Sequence, residues 1–175
     1  MRIVLSLVCG LVLCGAAAAE AATAKVTVNK IDENGVGQSI GTLRLKDTAK
    51  GLSITPKLKD LPPGPHGFHV HANGDCGPGE QNGKQVAGFA AGGHFDPDKT
   101  GKHLGPDSSD GHRGDLPVLV VNDKGHAGKT VVAPRLKVAD VKGHAIIIHA
   151  NGDNYSDQPA PLGGGGARIA CGVVK

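Results

Sequence analysis

The stretch GFHVH, Gly67 to His71, sets two histidines two residues apart in an otherwise apolar run. In a strand, alternate side chains share a face and the chain rises about 3.3 Å per residue. His69 and His71 therefore share one face, with Phe68 and Val70 on the other. Their two imidazoles, rooted about 7 Å apart, can lean onto one metal ion. A pair alone leaves two readings open, metal ligands or ordinary core histidines. The chain holds nine histidines, and His94, His103, His112 and His149, with Asp115 and Asp153, stand in or beside glycine-rich stretches. Taken singly, His149 ends an apolar run like an edge-of-core histidine, and His103 and His112 fit a surface loop. His66 has the opposite strand parity to His69 and His71, which argues against a metal role. His126 and His144 fit turn or strand-start positions, and Asp96 and Asp98 fit loop caps or solvated charges. Gly163 to Gly166 lacks the GxxxxGK pattern of a phosphate-cradling loop, and Tyr155 reads as loop packing.

The elements that must position these groups are short strands. Ala24 to Ile31 alternates as a half-buried strand does, and Glu33 to Gly35 is a turn signal. Ser39–Asp47 and Gly51–Leu58 read as the next two strands. A Pro/Gly turn precedes the strand that carries the histidine pair. Leu116–Asp123, one or two strands ending in the apolar run Ala145–Ile148, and Arg168–Val174 complete the set. No amphipathic helix longer than a turn or two is expected. Seven or eight short strands argue for an all-β antiparallel sandwich or barrel. Between them lie two long loops, Asn73 to Gly114 and Asn151 to Ala167. Loops above about 12–15 residues in compact domains are usually functional or disordered. Glycine totals 28 residues and is dense in both, so ordering them costs entropy; a disulfide and metal ligands are suitable fasteners.

The first 21 residues read as a separate unit. One basic residue, an apolar run from Ile3 to Leu13 and small residues after it form the pattern of a secretory signal peptide. That run is shorter than the ~20 residues needed to span a bilayer, so no membrane anchor is expected, and cleavage after Ala19 or Ala21 fits equally. Leu13 stands where a lipoprotein cysteine, here Cys14, usually follows a small residue. Residues 22–175 then form the mature domain, with Cys76 and Cys171 as its cysteines. In an exported chain such a pair points to one disulfide, with two unpaired buried thiols as the alternative. The net charge of +3 is mixed along the chain and tryptophan is absent. Nucleic-acid binding therefore has neither a basic block nor an aromatic platform to rest on.

Six separated motifs stand in order: GFHVH, GGHFDP (Gly92 to Pro97), His103, the GHRGD segment (Gly111 to Asp115), His149 to Asp153, and GGARIACGV (Gly165 to Val173). Together they resemble the copper–zinc superoxide dismutases, and with the leader, the bacterial exported, periplasmic branch. The resemblance covers nearly everything from residue 24 onward. It implies a Greek-key antiparallel β-barrel or immunoglobulin-like sandwich with two long functional loops. It implies an antioxidant oxidoreductase that dismutates superoxide to oxygen and hydrogen peroxide, one copper and one zinc per subunit, as a monomer or homodimer. The copper ligands it implies are His69, His71, His94 and His149, and the zinc ligands are His94, His103, His112 and Asp115, with His94 bridging. Arg168 would guide the anion beside copper, Asp153 would tie a copper-ligand histidine to a zinc-ligand histidine, and Cys76 with Cys171 would form the family disulfide. His66 would make structural hydrogen bonds near that disulfide. Between Gly152 and Gly166 stand two aspartates and no lysine or arginine, so Lys84, Lys102 and Arg113 are the candidates for steering superoxide, Lys84 first.

Overall fold

The computed structural model describes residues 20–175. The expected leader, with Cys9 and Cys14, lies outside the described residues up to residue 19. Eleven strands follow in chain order: β1 Thr23–Asp32, β2 Gly35–Thr48, β3 Gly51–Leu58, β4 Gly64–His66, β5 Phe68–His71, β6 Gly79–Gln81, β7 Lys84–Val86, β8 Leu119–Val121, β9 Val131–Ala133, β10 Ala145–His149 and β11 Arg168–Val173. One four-residue helix, α1 (Val138–Val141), and short 3₁₀ turns at Phe89–Ala91 and Leu162–Gly164 accompany them. Among the described residues, no helix is long and apolar enough to cross a membrane.

Seven strands form one antiparallel sheet in the order β5-β10-β11-β1-β2-β3-β9, while β4 pairs only with β8, and β6 only with β7. This corrects the expected closed Greek-key barrel or immunoglobulin-like sandwich. The sheet is an open half-barrel whose edge strands, β5 and β9, do not pair with each other. Proline accounts for much of the opening. It donates no N–H to a ladder, and Pro62 and Pro63 precede β4, Pro65 stands in its middle, and Pro117 precedes β8. Both strands are cut to three residues. The remaining joins are isolated bridges, Leu58 with Ala127, His69 with Asp115 and His71 with His94.

Alternation sets the two sides. Val26, Val28, Leu43, Leu45, Leu52 and Ile54 point inward to the main core, while Lys25, Arg44, Lys46 and Thr55 on the same strands are exposed. β5 and β10 differ, being buried at every position. Phe68, Val70, Ile146 and Ile148 join the main core. On the other side, Ala145 and Ile147 pack with Ile31, Ala91 and Cys171 in a second cluster. His69, His71 and His149 share that second side by strand parity, and the long loops cover it. The Cys76–Cys171 disulfide, closing 95 residues, fastens the first loop to β11.

Candidate metal centre

Register places the first histidines. His69 stands opposite Ile147, and His71 opposite Ala145, on the β5–β10 ladder. His149 ends β10, where the pairing slips so that it faces Arg168. Such an irregularity re-aims side chains at a strand end, and here it brings histidine and arginine together. The first loop then returns to β5: Phe95 N–H donates to Val70 O (2.8 Å), and Val70 N–H donates to Gly114 O (2.9 Å). His94 and Asp115 are thereby bridged to His71 and His69. Gly114 must be glycine, because a Cβ there would collide with the Val70 carbonyl.

Two groups of donors result. In His69, His71, His94 and His149, one ligand-capable atom from each lies within 4.8 Å of the others, and the same holds for His94, His103, His112 and Asp115. All seven residues are buried, and His94 belongs to both groups. In the first group, one nitrogen of each of three rings is bonded outward. His69 Nε2 lies 2.7 Å from Asp153 Oδ2, His71 Nδ1 2.9 Å from Gly92 O, and His149 Nδ1 3.1 Å from Gly166 O. Those acceptors call for an N–H there, which leaves the lone pair on the other nitrogen. The other nitrogens, His69 Nδ1, His71 Nε2 and His149 Nε2, are buried without a partner, as is His94 Nε2. Orphaned buried polar atoms are costly, and four of them converging fit a copper ion, which imidazole nitrogen suits.

In the second group, the Nδ1 atoms of His94, His103 and His112 lie 2.9, 3.0 and 3.4 Å from the Asp115 carboxylate. Only the His94 contact is aligned as a hydrogen bond; His103 Nδ1 and His112 Nδ1 have none. Donor atoms on a tetrahedral ion with bonds near 2.0 Å stand about 3.3 Å apart, so this crowding suits a shared zinc better than a set of hydrogen bonds. Three histidines and one aspartate make a closed, structural type of site.

Asp153 joins the groups, since its other oxygen lies 2.8 Å from His103 Nε2. Gly163 packs against that carboxylate so closely that a Cβ would collide with it, which is the physical use of the glycine run. In the metal-free protein, burial lowers His69 to about 3, aided by the positive charge His94 could carry. Burial likewise takes His149 to about 4 and His71 and His94 below their ordinary values. Neutral imidazoles are the form that binds metal. His103 moves the other way: burial opposes its charge, but Asp115 and Asp153 outweigh burial and raise it to about 9. For the same reason both carboxyls fall below the usual range, against burial, through their histidine contacts.

Arg168 is half-buried and donates to Gly88 O (2.6 Å) and Gly92 O (2.7 Å). Gly92 O also faces His71 Nδ1, so the arginine and a ring of the first group are held by one carbonyl. Tyr155 is loop packing, its hydroxyl accepting from Val118 N–H at 2.9 Å. Asp96 caps the loop at Gly101 N–H. Arg113 is engaged by Asp98 through two contacts of 2.9 and 2.7 Å, which weakens it as a steering charge, whereas Lys84 and Lys102 are exposed. His66 is structural, but its ring nitrogens lie 2.7 and 2.8 Å from the His149 and Pro62 carbonyls, beside a metal-group histidine.

Three contributors left no sequence signal. Asp157 accepts from His103 N–H (3.0 Å) and Leu162 N–H (3.1 Å), pinning the two loops together. His144 stands 2.8 Å from Ala72 O and packs on Phe95. Arg135 reaches the backbone around His112.

Comparison with known proteins agrees with this geometry. A family model described as copper/zinc superoxide dismutase (SODC) matches residues 39–174. The Cu-Zn superoxide dismutase 2 of Salmonella typhimurium is 62% identical over 148 residues, covering 84% of this chain and 85% of that protein. The structure of the Cu/Zn superoxide dismutase from Brucella abortus superposes with a TM-score of 0.86 at 48% identity, over 88% of this chain and 100% of that one. That of the monomeric copper, zinc superoxide dismutase from Salmonella enterica gives 0.79 at 59% identity, again over 88% and 100%.

Proposed function

Because the chain belongs to the copper/zinc superoxide dismutase family, we propose that it converts two superoxide ions and two protons into molecular oxygen and hydrogen peroxide. Copper is held by His69, His71, His94 and His149, and zinc by His94, His103, His112 and Asp115. The observation that carries this reading is His94, whose Nδ1 faces Asp115 while its Nε2 stays unpartnered among the first group. Only histidine offers two ring nitrogens for such a bridge. Copper bound in the first group supplies the one-electron oxidation and reduction that the two half-reactions need, and zinc supplies a redox-inert charge that orders the loop.

The chain's own residues do the rest. Arg168, fixed on two carbonyls beside His71, attracts the anion and orients it by charge and hydrogen bonding. His94 Nε2 is the atom at which a proton can be held for the peroxide product, since Nδ1 remains on the Asp115 side. Asp153 keeps the outward N–H of His69 and of His103 in place, so the free lone pairs face inward. Pulse radiolysis tests the proposal on mature protein loaded with copper and zinc, with a zinc-only sample beside it. Rapid superoxide decay that requires copper and repeats over many turnovers is expected. Stoichiometric metal uptake without turnover would leave a metal-binding protein on an enzyme's scaffold.

Export is part of the same reading. The leader over residues 1–21 and a disulfide suited to an oxidising compartment support a mature 22–175 domain in the periplasm. The Salmonella enterica relative is described as monomeric, which supports a monomer over a homodimer, and sedimentation equilibrium reads the mass directly.

A further inference from the structure

Besides Asp153 and Asp157 at His103, one arginine holds the zinc-side loop from outside, at His112. Between the 3₁₀ turn at Phe89–Ala91 and β8 there is no strand, so His94, His103, His112 and Asp115 ride on irregular backbone. Arg135 is rooted in the sheet just after β9, between Pro134 and the buried Leu136, in a turn closed by Leu136 N–H to Ala133 O. Its guanidinium reaches across to three carbonyls of the loop. Nη1 donates to Gly111 O (3.1 Å) and His112 O (3.3 Å), and Nη2 to Gly111 O (3.1 Å) and Ser109 O (3.3 Å). Three carbonyls converging on one spot repel one another unless a cation with several donors sits between them, and a planar guanidinium meets that need.

We propose that Arg135 is a positioning residue that holds His112 in the zinc group and sets how slowly zinc leaves. This rests on the zinc assignment above. His112 is the most exposed ligand of its group at 8%, against 7% for His94, 1% for Asp115 and 0% for His103. Its N–H is held by Lys102 O at 2.9 Å, and its carbonyl is held by Arg135. Without the guanidinium, the Gly111 and His112 carbonyls turn toward water and carry the imidazole with them. Gly111 also packs closely on Leu104, where a Cβ would crowd that residue, so the displacement passes to the neighbour of His103.

The test uses copper- and zinc-loaded protein with its disulfide intact, and reads zinc release to an excess of a colorimetric chelator. Arg135→Ala is expected to release zinc at least tenfold faster than wild type. Arg135→Lys should fall between the two, because a point charge cannot span three carbonyls. Cobalt(II), placed in the zinc group as a spectroscopic probe, should show altered visible bands in Arg135→Ala, with partial return in Arg135→Lys. Release within twofold of wild type, with superimposable cobalt spectra, would overturn the proposal. Should the alanine variant not fold, Arg135→Lys decides: release at the wild-type rate overturns it and faster release supports it. Failure of the wild-type protein to bind one cobalt or zinc would instead strike the ligand assignment, and this proposal with it.

Discussion

Replacing Asp153 with asparagine keeps the shape of the side chain and removes its charge and one acceptor. The carboxylate is fully buried and lies 2.7 Å from His69 Nε2 and 2.8 Å from His103 Nε2. An amide oxygen can serve only one of those rings, and in either orientation the amide NH₂ confronts the N–H of the other. One charge-assisted bond is lost and one buried N–H is left unpaired, a cost of about 1–3 kcal/mol. That corresponds to roughly 5- to 150-fold in an equilibrium constant, close to the 10- to 100-fold typical of groups that support metal ligands. The strain should relax where the backbone yields. His69 is locked on β5 by its pairing with β10, whereas His103 stands on loop and its raised pKa depends on this carboxylate. Zinc affinity should therefore fall about 10- to 100-fold and copper affinity by less than about fivefold. Competition titrations with chelators specific for each metal read both numbers. Zinc affinity within twofold of wild type, or copper affinity falling further than zinc, would refute the argument from backbone compliance.

Three further outcomes follow from the same geometry. Arg168→Ala should slow superoxide capture roughly tenfold at low ionic strength, with the difference shrinking as salt rises, and should leave copper affinity unchanged; equal rates at low salt would remove Arg168 from the encounter. Cys171→Ser opens a loop of 95 residues and should cost the metal-free protein about 4.7 kcal/mol on the chain-entropy account, so an unfolding free energy from urea titration that falls by less than about 1 kcal/mol would count against the disulfide as a fastener. The metal-free protein should be most stable near pH 6.5, the ordinary histidine value. Below that, His69 at about 3 and His149 at about 4 favour the folded state only while neutral, and that stability is lost as pH falls through these folded values. Above it, His103 at about 9 contributes stability that is full below 6.5 and lost as pH rises toward 9. Urea midpoints that climb steadily from pH 6.5 to 9 would contradict the His103 assignment.

Strands whose two faces meet different surroundings were legible in the sequence. Gly51–Leu58 occurs as expected and β1 lies within a residue of its expected ends, because alternation marks a half-buried ladder directly, while β10 and β11 lie within a residue of their expected C-terminal ends, β10 marked by its apolar run. The parity of His69 and His71 was legible on the same ground. The open half-barrel was not, and a closed barrel was expected in its place, because whether two edges meet depends on hydrogen bonds between distant segments. The prolines at 62, 63 and 65 were visible as a turn signal and Pro117 stood inside an expected strand, yet their effect, three-residue strands paired only with each other, is a property of the assembled sheet. The β6–β7 hairpin was hidden inside the glycine-rich stretch, where strands too short to show a period look like loop.

The metal centre divides along the same line. The group proposed for copper is built mainly on β5 and β10, with His94 added by the loop's hydrogen bonds to Val70, so its geometry follows from strand register. The group proposed for zinc is built on backbone without a ladder and is held by single side chains acting over long distances in the chain: Arg135 on Gly111, 24 residues away, and Asp157 on His103, 54 residues away. A contact of that kind leaves no repeat and no spacing in the sequence. It also has no neighbouring ladder to share its load, so each clamp should count individually. A change on β5 or β10 should spread through the sheet and lower global stability together with copper binding. A change at Arg135 or Asp157 should instead loosen the zinc side while the sheet stays intact, and comparing denaturant midpoints with zinc release in one set of variants separates the two behaviours.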